Sequence, residues 1–158
     1  MLDALNRREF VQTAAAGIAG ASILGFEADA LAHCDVPCGV YETDTMKWAV
    51  ETILKLNGKI AALEQPKDFH EELEQKNFIT RAITVKEEYA AICKREILLL
   101  WTDYFKTEHL EKYPDLHDII WKAARQCSTV KRSVRIEDVQ KLQEMVQTIA
   151  AIFAETKK

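Results

Sequence analysis

The chain has 158 residues, 48% of them hydrophobic, and a formal charge of −4. This is enough for one domain and too short for two comfortable ones. The acidic balance lacks the basic footprint of a nucleic-acid-binding protein. With only 5 glycines, 3 prolines and few alternating Val/Ile/Thr runs, the composition also speaks against a β fold.

Residues 1–32 read as a cleavable export signal. Arg7 and Arg8 precede Phe10, a weakly apolar Ala/Gly-rich run extends from Thr13 to Phe26, and Ala30-Leu31-Ala32 closes it as a small-x-small signal-peptidase site. Paired arginines before a weakly hydrophobic run point to the twin-arginine route, which carries folded proteins. The expectation is an exported protein, periplasmic or extracellular, with the twin-arginine translocase and a signal peptidase as partners in maturation. A retained membrane anchor is a competing reading, but the run is shorter than the ~20 apolar residues of a spanning helix. A buried amphipathic helix is another, but Ala14 to Leu24 has no polar face. No other stretch is apolar enough to span a membrane, so no stable membrane association is expected after processing. Removal of Asp3, Arg7, Arg8, Glu9, Glu27 and Asp29 with the leader leaves a net charge of about −2.

Cleavage after Ala32 makes His33 the first residue of a terminus that reads His33-Cys34-Asp35-Val36-Pro37-Cys38-Gly39-Val40-Tyr41. An amine, an imidazole, a backbone nitrogen and two thiols then lie within reach of one metal ion, and they exist together only after the cut. Nickel and copper favour planar sets of nitrogen and strong donors, whereas structural zinc wants a tetrahedron. Pro37 fixes φ, and Gly39 permits the positive φ of a tight return. The same residues have other uses: a Cys34–Cys38 disulfide of an exported protein, or zinc or copper binding.

Four helical segments follow. The first spans about Asp44 to Leu63, capped by Thr43 or Asp44, with Trp48, Ile53, Leu56, Ile60 and Leu63 at helical spacing. Gln65-Pro66-Lys67-Asp68 ends it. The second spans about His70 to Phe105, with an apolar stripe of Phe78, Ala82, Val85, Tyr89, Ile92, Ile97, Leu100 and Tyr104 and a short break expected near Asn77. The third starts near Pro114, a favourable first-turn position, shows an apolar side of Leu116, Ile119, Ile120, Ala123 and Ala124, and fades near Ser128. Lys131-Arg132-Ser133 connects it to the fourth, about Ile136 to Glu155, where Val139, Leu142, Val146, Ile149, Ile152 and Phe153 face inward. The simplest burial of these stripes is an all-α antiparallel four-helix bundle over residues 33–158, preceded by an irregular N-terminal metal hook at residues 33–41. Cys93 and Cys127 read as buried small hydrophobes, and His70, His109 and His117 as surface or capping residues.

The run His-Cys-Asp-x-Pro-Cys-Gly-x-Tyr at a mature N-terminus resembles the nickel hook of nickel-containing superoxide dismutases. Further blocks of that family occur in the same order: Trp101-Thr102-Asp103-Tyr104-Phe105-Lys106, Glu111-Lys112-Tyr113-Pro114, Leu116-His117 and Glu155-Thr156-Lys157-Lys158. The resemblance thus covers nearly all of the chain after residue 32. It implies dismutation of superoxide to oxygen and hydrogen peroxide by a Ni(II)/Ni(III) site, one nickel ion per subunit, in a homohexamer of four-helix bundles. It also implies the ligand set: the His33 amine, the Cys34 amide nitrogen and the Cys34 and Cys38 sulfurs in the plane, with the His33 imidazole axial. Asp35 and Tyr41 then surround the ligands, Tyr104 matches another family tyrosine near the open face, and Lys106 attracts the anion.

One departure stands out. The family holds the metal-bound imidazole with a glutamate on the first helix and an arginine on the second, and a gap-free comparison puts Ala49 and Tyr89 there. Glu51 lies two residues past the first place, and Lys86, Glu88 and Arg95 lie near the second. Two other functions stay open at this point: an exported, non-catalytic nickel- or copper-binding helical module, and a structural bundle stapled by its N-terminal cysteines.

Overall fold

The computed structural model describes residues 40–157, all within the compact unit that runs from Gly39 to Lys158. The leader and the residues His33, Cys34, Asp35, Pro37, Cys38 and Gly39 lie outside the described residues. Those described form helices α1 (Asp44–Ala61), α2 (Phe69–Leu99), α3 (Thr107–Lys112), α4 (Leu116–Arg132) and α5 (Ile136–Thr156), with a π-helical turn at Leu100–Tyr104 after α2. No strand occurs among the described residues.

The four long helices pack as a ring: α1 against α2, α2 against α4, α4 against α5, and α5 against α1. Polar contacts between the helices give their directions. Lys86 of α2 reaches Val130 near the end of α4, while Trp101 just beyond α2 bonds His117 at the start of α4. Asn57 near the end of α1 bonds the Arg135 carbonyl just before α5, and Lys157 just after α5 bonds the Tyr41 carbonyl just before α1. Gln126 late in α4 bonds the Asp138 carbonyl early in α5, and Gln75 early in α2 bonds the Glu64 carbonyl just after α1, so each neighbouring pair is antiparallel, the up-down-up-down order that short connections produce.

One apolar core fills the ring. Val50 and Ile53 of α1, Ile97 of α2, Ile120 of α4, and Leu142 and Ile149 of α5 are all withdrawn from solvent. The expected inward set of α5 is buried in full. Cys93 and Cys127 are buried free thiols that hydrogen-bond to each other. That bond, with burial, pushes the Cys93 pKa far up and leaves an unreactive thiol.

The structure corrects several sequence expectations. Trp48 is 68% exposed; the buried face of α1 is Met46, Ala49, Val50, Ile53 and Asn57. Ala49 and Asn57 interrupt the apolar signal of that face, and the large indole of Trp48 drew the reading one position off. Val85 is exposed too, because the seam of α2 runs through Ala82, Lys86, Ala90, Cys93 and Ile97. There is no break at Asn77: Asp68 caps α2 by accepting from the Glu71 amide at 2.8 Å, and the helix runs unbroken for 31 residues. Helix α4 starts later than Pro114 and runs past Ser128 to Arg132. The short α3 was not expected.

The length of α4 has a cause remote in sequence. The Lys86 ammonium, on a residue only 2% exposed, donates to the carbonyls of Val130, Lys131 and Ser133 at 3.1, 2.9 and 2.8 Å. Terminal helix carbonyls lack amide partners and carry partial negative charge, so a buried cation there uses all three of its donors. Burial lowers the lysine pKa, opposed by the neighbouring Glu87 carboxylate. Replacing Lys86 with Met keeps the stem but removes the ammonium donor from the Lys131 and Ser133 carbonyls and leaves the Val130 carbonyl only the Ser133 amide. The expected cost is about 2–4 kcal/mol in urea unfolding, and an unchanged midpoint would show that Lys86 does not hold the end of α4.

Candidate metal-centre flank

In an antiparallel ring the start of α1, the end of α2 and the end of α5 lie at one end. Tyr41, the π-helical turn, α3 and Thr156 are all found there. The π turn places its bond one residue further than an α-helix does: the Phe105 amide donates to the Leu100 carbonyl at 2.9 Å. Tyr104 and Phe105 are thereby turned onto the core, and both pack against it.

Tyr104 is the hub of this end. Its ring centroid lies 4.6 Å from Phe153, 5.1 Å from Phe105 and 5.5 Å from Tyr41, and it stacks on the His109 imidazole at 5.6 Å with an interplanar angle of 18°. Such aromatic pairs contribute about 0.5–1.5 kcal/mol each beyond buried area, so the ring is held from several sides. Its phenol oxygen lies 3.0 Å from Thr156 Oγ1.

His109 links this hub to α3. The Lys106 amide donates to His109 Nδ1 at 3.1 Å, and the His109 amide donates to the Lys106 carbonyl at 3.0 Å. This reciprocal arrangement closes the first turn of a helix too short to stand alone. An Nδ1 that accepts leaves the ring proton of a neutral imidazole on Nε2. That atom faces the Glu108 carboxylate at 3.9 Å.

These groups border an open cavity of about 550 Å³, lined by Tyr41, Asp103, Tyr104, Lys106, Glu108, His109, Thr156 and Lys157. Tyr41, Tyr104 and Lys106, expected separately from sequence, are thus brought to one place. The cavity also holds His109, read from the sequence as a surface or capping residue, and Thr156 and Lys157, whose roles the sequence reading did not assign. The only signal for the last two was their place in the closing Glu155-Thr156-Lys157-Lys158 block. The charge is mixed: Lys106 and Lys157 are set against Asp103 and Glu108.

The positions singled out in the sequence as departures from the family pattern are occupied by residues with other tasks. Ala49 is fully buried in the seam, and Tyr89 packs partly buried against the core. Of the nearby polar residues, Glu51 pairs with Lys55 at 2.7 Å, Arg95 pairs with Glu96 at 3.2 Å, and Lys86 caps α4. Of the other histidines, His70 is exposed, and His117 accepts from the Trp101 indole at 2.7 Å. Among the described residues no group of three or more His, Cys, Asp or Glu side chains could hold a metal ion, and no helix is long and apolar enough to cross a membrane.

Comparison with known proteins places this arrangement. A family described as nickel-containing superoxide dismutase matches residues 28–157. A superoxide dismutase [Ni] from Streptomyces coelicolor is 36% identical over 127 residues, which are 80% of this chain and 89% of that protein. Its counterpart from Streptomyces seoulensis is 37% identical over the same length and shares. Among solved structures, a native nickel superoxide dismutase at 1.30 Å superposes with a TM-score of 0.69 and 36% identity, covering 80% of this chain and all of that one. An apo structure of nickel superoxide dismutase superposes with a TM-score of 0.66 and 33% identity, covering 75% of this chain and 98% of that one.

The bond from Lys106 to His109 is open to a direct test. His109→Ala removes the acceptor, and amide exchange at Lys106 is expected to speed up by about an order of magnitude, as for loss of a helix cap. His109→Asn restores an acceptor near the Nδ1 position and is expected to return most of the protection, read by NMR. Equal protection in all three proteins would contradict the cap.

Proposed function

The chain belongs to the nickel-containing superoxide dismutases, and from that premise we propose which of its residues carry the reaction and how the protein matures. It is an oxidoreductase that converts superoxide to oxygen and hydrogen peroxide with nickel as cofactor. The observation that carries this reading is the family match across residues 28–157, which spans the N-terminal donors as well as the bundle. The non-catalytic metal-binding module has no observation in its favour.

The donor chemistry of residues 33–38 fits the metal. In this reading His33 holds nickel through its amine and imidazole, Cys34 through its amide nitrogen and sulfur, and Cys38 through its sulfur. Bound nickel supplies a one-electron couple that accepts an electron from one superoxide and returns it to another. Anionic amide and thiolate donors favour the higher oxidation state and bring that couple into range. The remaining tasks belong to the chain: to admit a small anion, to keep the site oriented and to supply protons.

Each hydrogen peroxide formed takes up two protons. The Tyr41 and Tyr104 phenols and the His109 Nε2 are cavity-lining groups that can hold one. Lys106 and Lys157 offer positive charge to an incoming anion, tempered by Asp103 and Glu108. Asp35 supports the ligands from within the hook. Tyr41 follows Cys38 by three residues, and three residues reach at most ~11 Å, so the covalent chain keeps Tyr41 close to the last sulfur ligand.

Maturation completes the reading. The twin-arginine translocase exports the chain to the periplasm or the extracellular space, and a signal peptidase frees the His33 amine. Subunits then assemble as a homohexamer. The exposed indoles of Trp48 and Trp121 are the sort of apolar surface that subunit contacts cover.

Cys34→Ser and Cys38→Ser each remove a sulfur ligand. Each purified mature variant is expected to carry less than about a tenth of the wild-type nickel, and its superoxide rate is expected to fall by at least about a hundredfold. Metal analysis with a pulse-radiolysis assay reads both. Wild-type rate in either variant would overturn the ligand assignment.

A further inference from the structure

The end of α5 carries an arrangement that the hook does not explain. Thr156 Oγ1 lies 3.0 Å from the Tyr104 phenol oxygen, 3.0 Å from the Ile152 carbonyl and 2.9 Å from the Phe153 carbonyl. A carbonyl only accepts, and a threonine hydroxyl has a single proton to give. That proton goes back to the carbonyls of its own helix, as mid-helix threonines commonly do. The Thr156 oxygen is then left as an acceptor, and Tyr104 is the donor. One residue further on, the Lys157 ammonium donates to the Tyr41 carbonyl at 2.9 Å while resting 5.1 Å from the Phe153 ring. The last turn of α5 therefore grips both tyrosines of the cavity, one by its phenol and the other by its backbone.

We propose that Thr156 is a positioning residue for the superoxide chemistry: it accepts the Tyr104 phenol proton and so fixes which face of that oxygen meets the cavity. This rests on the assignment of Tyr104 made above. With its O–H directed at Thr156, the Tyr104 oxygen presents lone pairs to the cavity, and the phenol gives its proton to a bound species only by breaking the bond to Thr156. The aromatic contacts hold the ring but leave the hydroxyl direction undetermined; the threonine determines it. Valine has nearly the same shape as threonine and no acceptor, and serine keeps the acceptor without the methyl.

The test uses mature, nickel-loaded protein with Thr156→Val, Thr156→Ser, Tyr104→Phe and the double variant Tyr104→Phe/Thr156→Val. Thr156→Val is expected to lower kcat/KM for superoxide about 3- to 10-fold with nickel content unchanged, the span of one lost hydrogen bond. Thr156→Ser is expected to restore the rate to within about twofold. The double variant is expected to be no slower than Tyr104→Phe alone, because both changes break one bond. The ¹³Cζ resonance of labelled Tyr104, recorded with and without nickel, is expected to move in Thr156→Val and return in Thr156→Ser. A serine variant as slow as the valine variant, additive losses, or an unmoved ¹³Cζ resonance would each overturn the proposal. A wild-type rate in Tyr104→Phe would refute the role of Tyr104 in the chemistry, while the ¹³Cζ shift would still decide the bond to Thr156.

Discussion

Four helices meet along a seam of Val50, Ile53, Ile97, Ile120, Leu142 and Ile149, and that seam carries the fold. It is close-packed and apolar, with Ala90, Cys93, Ala123 and Cys127 letting the helices approach. Taking a charge into such a medium costs several kcal/mol unless it is fully paired. The one charged side chain buried among the described residues, Lys86, meets that condition by giving all three of its protons to carbonyls at the end of α4. A metal that changes charge with each turnover has no comparable place inside the bundle. The proposed ligands, His33, Cys34 and Cys38, precede α1 in the sequence.

The antiparallel order of the helices then decides what the bundle can offer. It gathers the residue before α1, the turn after α2 and the last turn of α5 at one end. The π turn at Leu100–Tyr104 spends one irregular hydrogen bond to bring Tyr104 and Phe105 onto the core. Helix α3, held by Lys106 and His109, borders the cavity on its other side. Lys112, the last residue of that helix, and Tyr113, just past it, both bond the Glu155 carboxylate of α5. The irregular stretch between α2 and α4 is thus fastened to the bundle along its length, and the cavity keeps a defined wall.

Much of this was legible in the chain. The inward stripe of α5 and the turn at Gln65–Asp68 were each written in local patterns, and the donor set proposed at His33, Cys34 and Cys38 rests on such a pattern alone. What escaped was set by distant partners. Trp48 looked like core because it is large and apolar, but the buried face of α1 is Met46, Ala49, Val50, Ile53 and Asn57. The last turn of α4 is held by a lysine of α2, which no local reading of residues 128–132 reveals. Thr156 and Lys157 stood out only as part of the closing Glu155-Thr156-Lys157-Lys158 block, and only the fold sets them beside Tyr104 and Tyr41. Ala49 is fully buried in the seam and Tyr89 packs partly buried against the core.

The proposed centre needs an amine that the full-length chain does not possess, so its chemistry is bound to proteolysis as firmly as to folding. The most direct measurement compares superoxide disappearance for protein that retains residues 1–32 with the same protein cut after Ala32, both supplied with nickel. The uncut protein is expected to stay at the background rate, and the cut protein to gain activity in step with nickel bound and with a mass beginning at His33. Equal rates before and after cleavage would contradict a metal site built on the His33 amine.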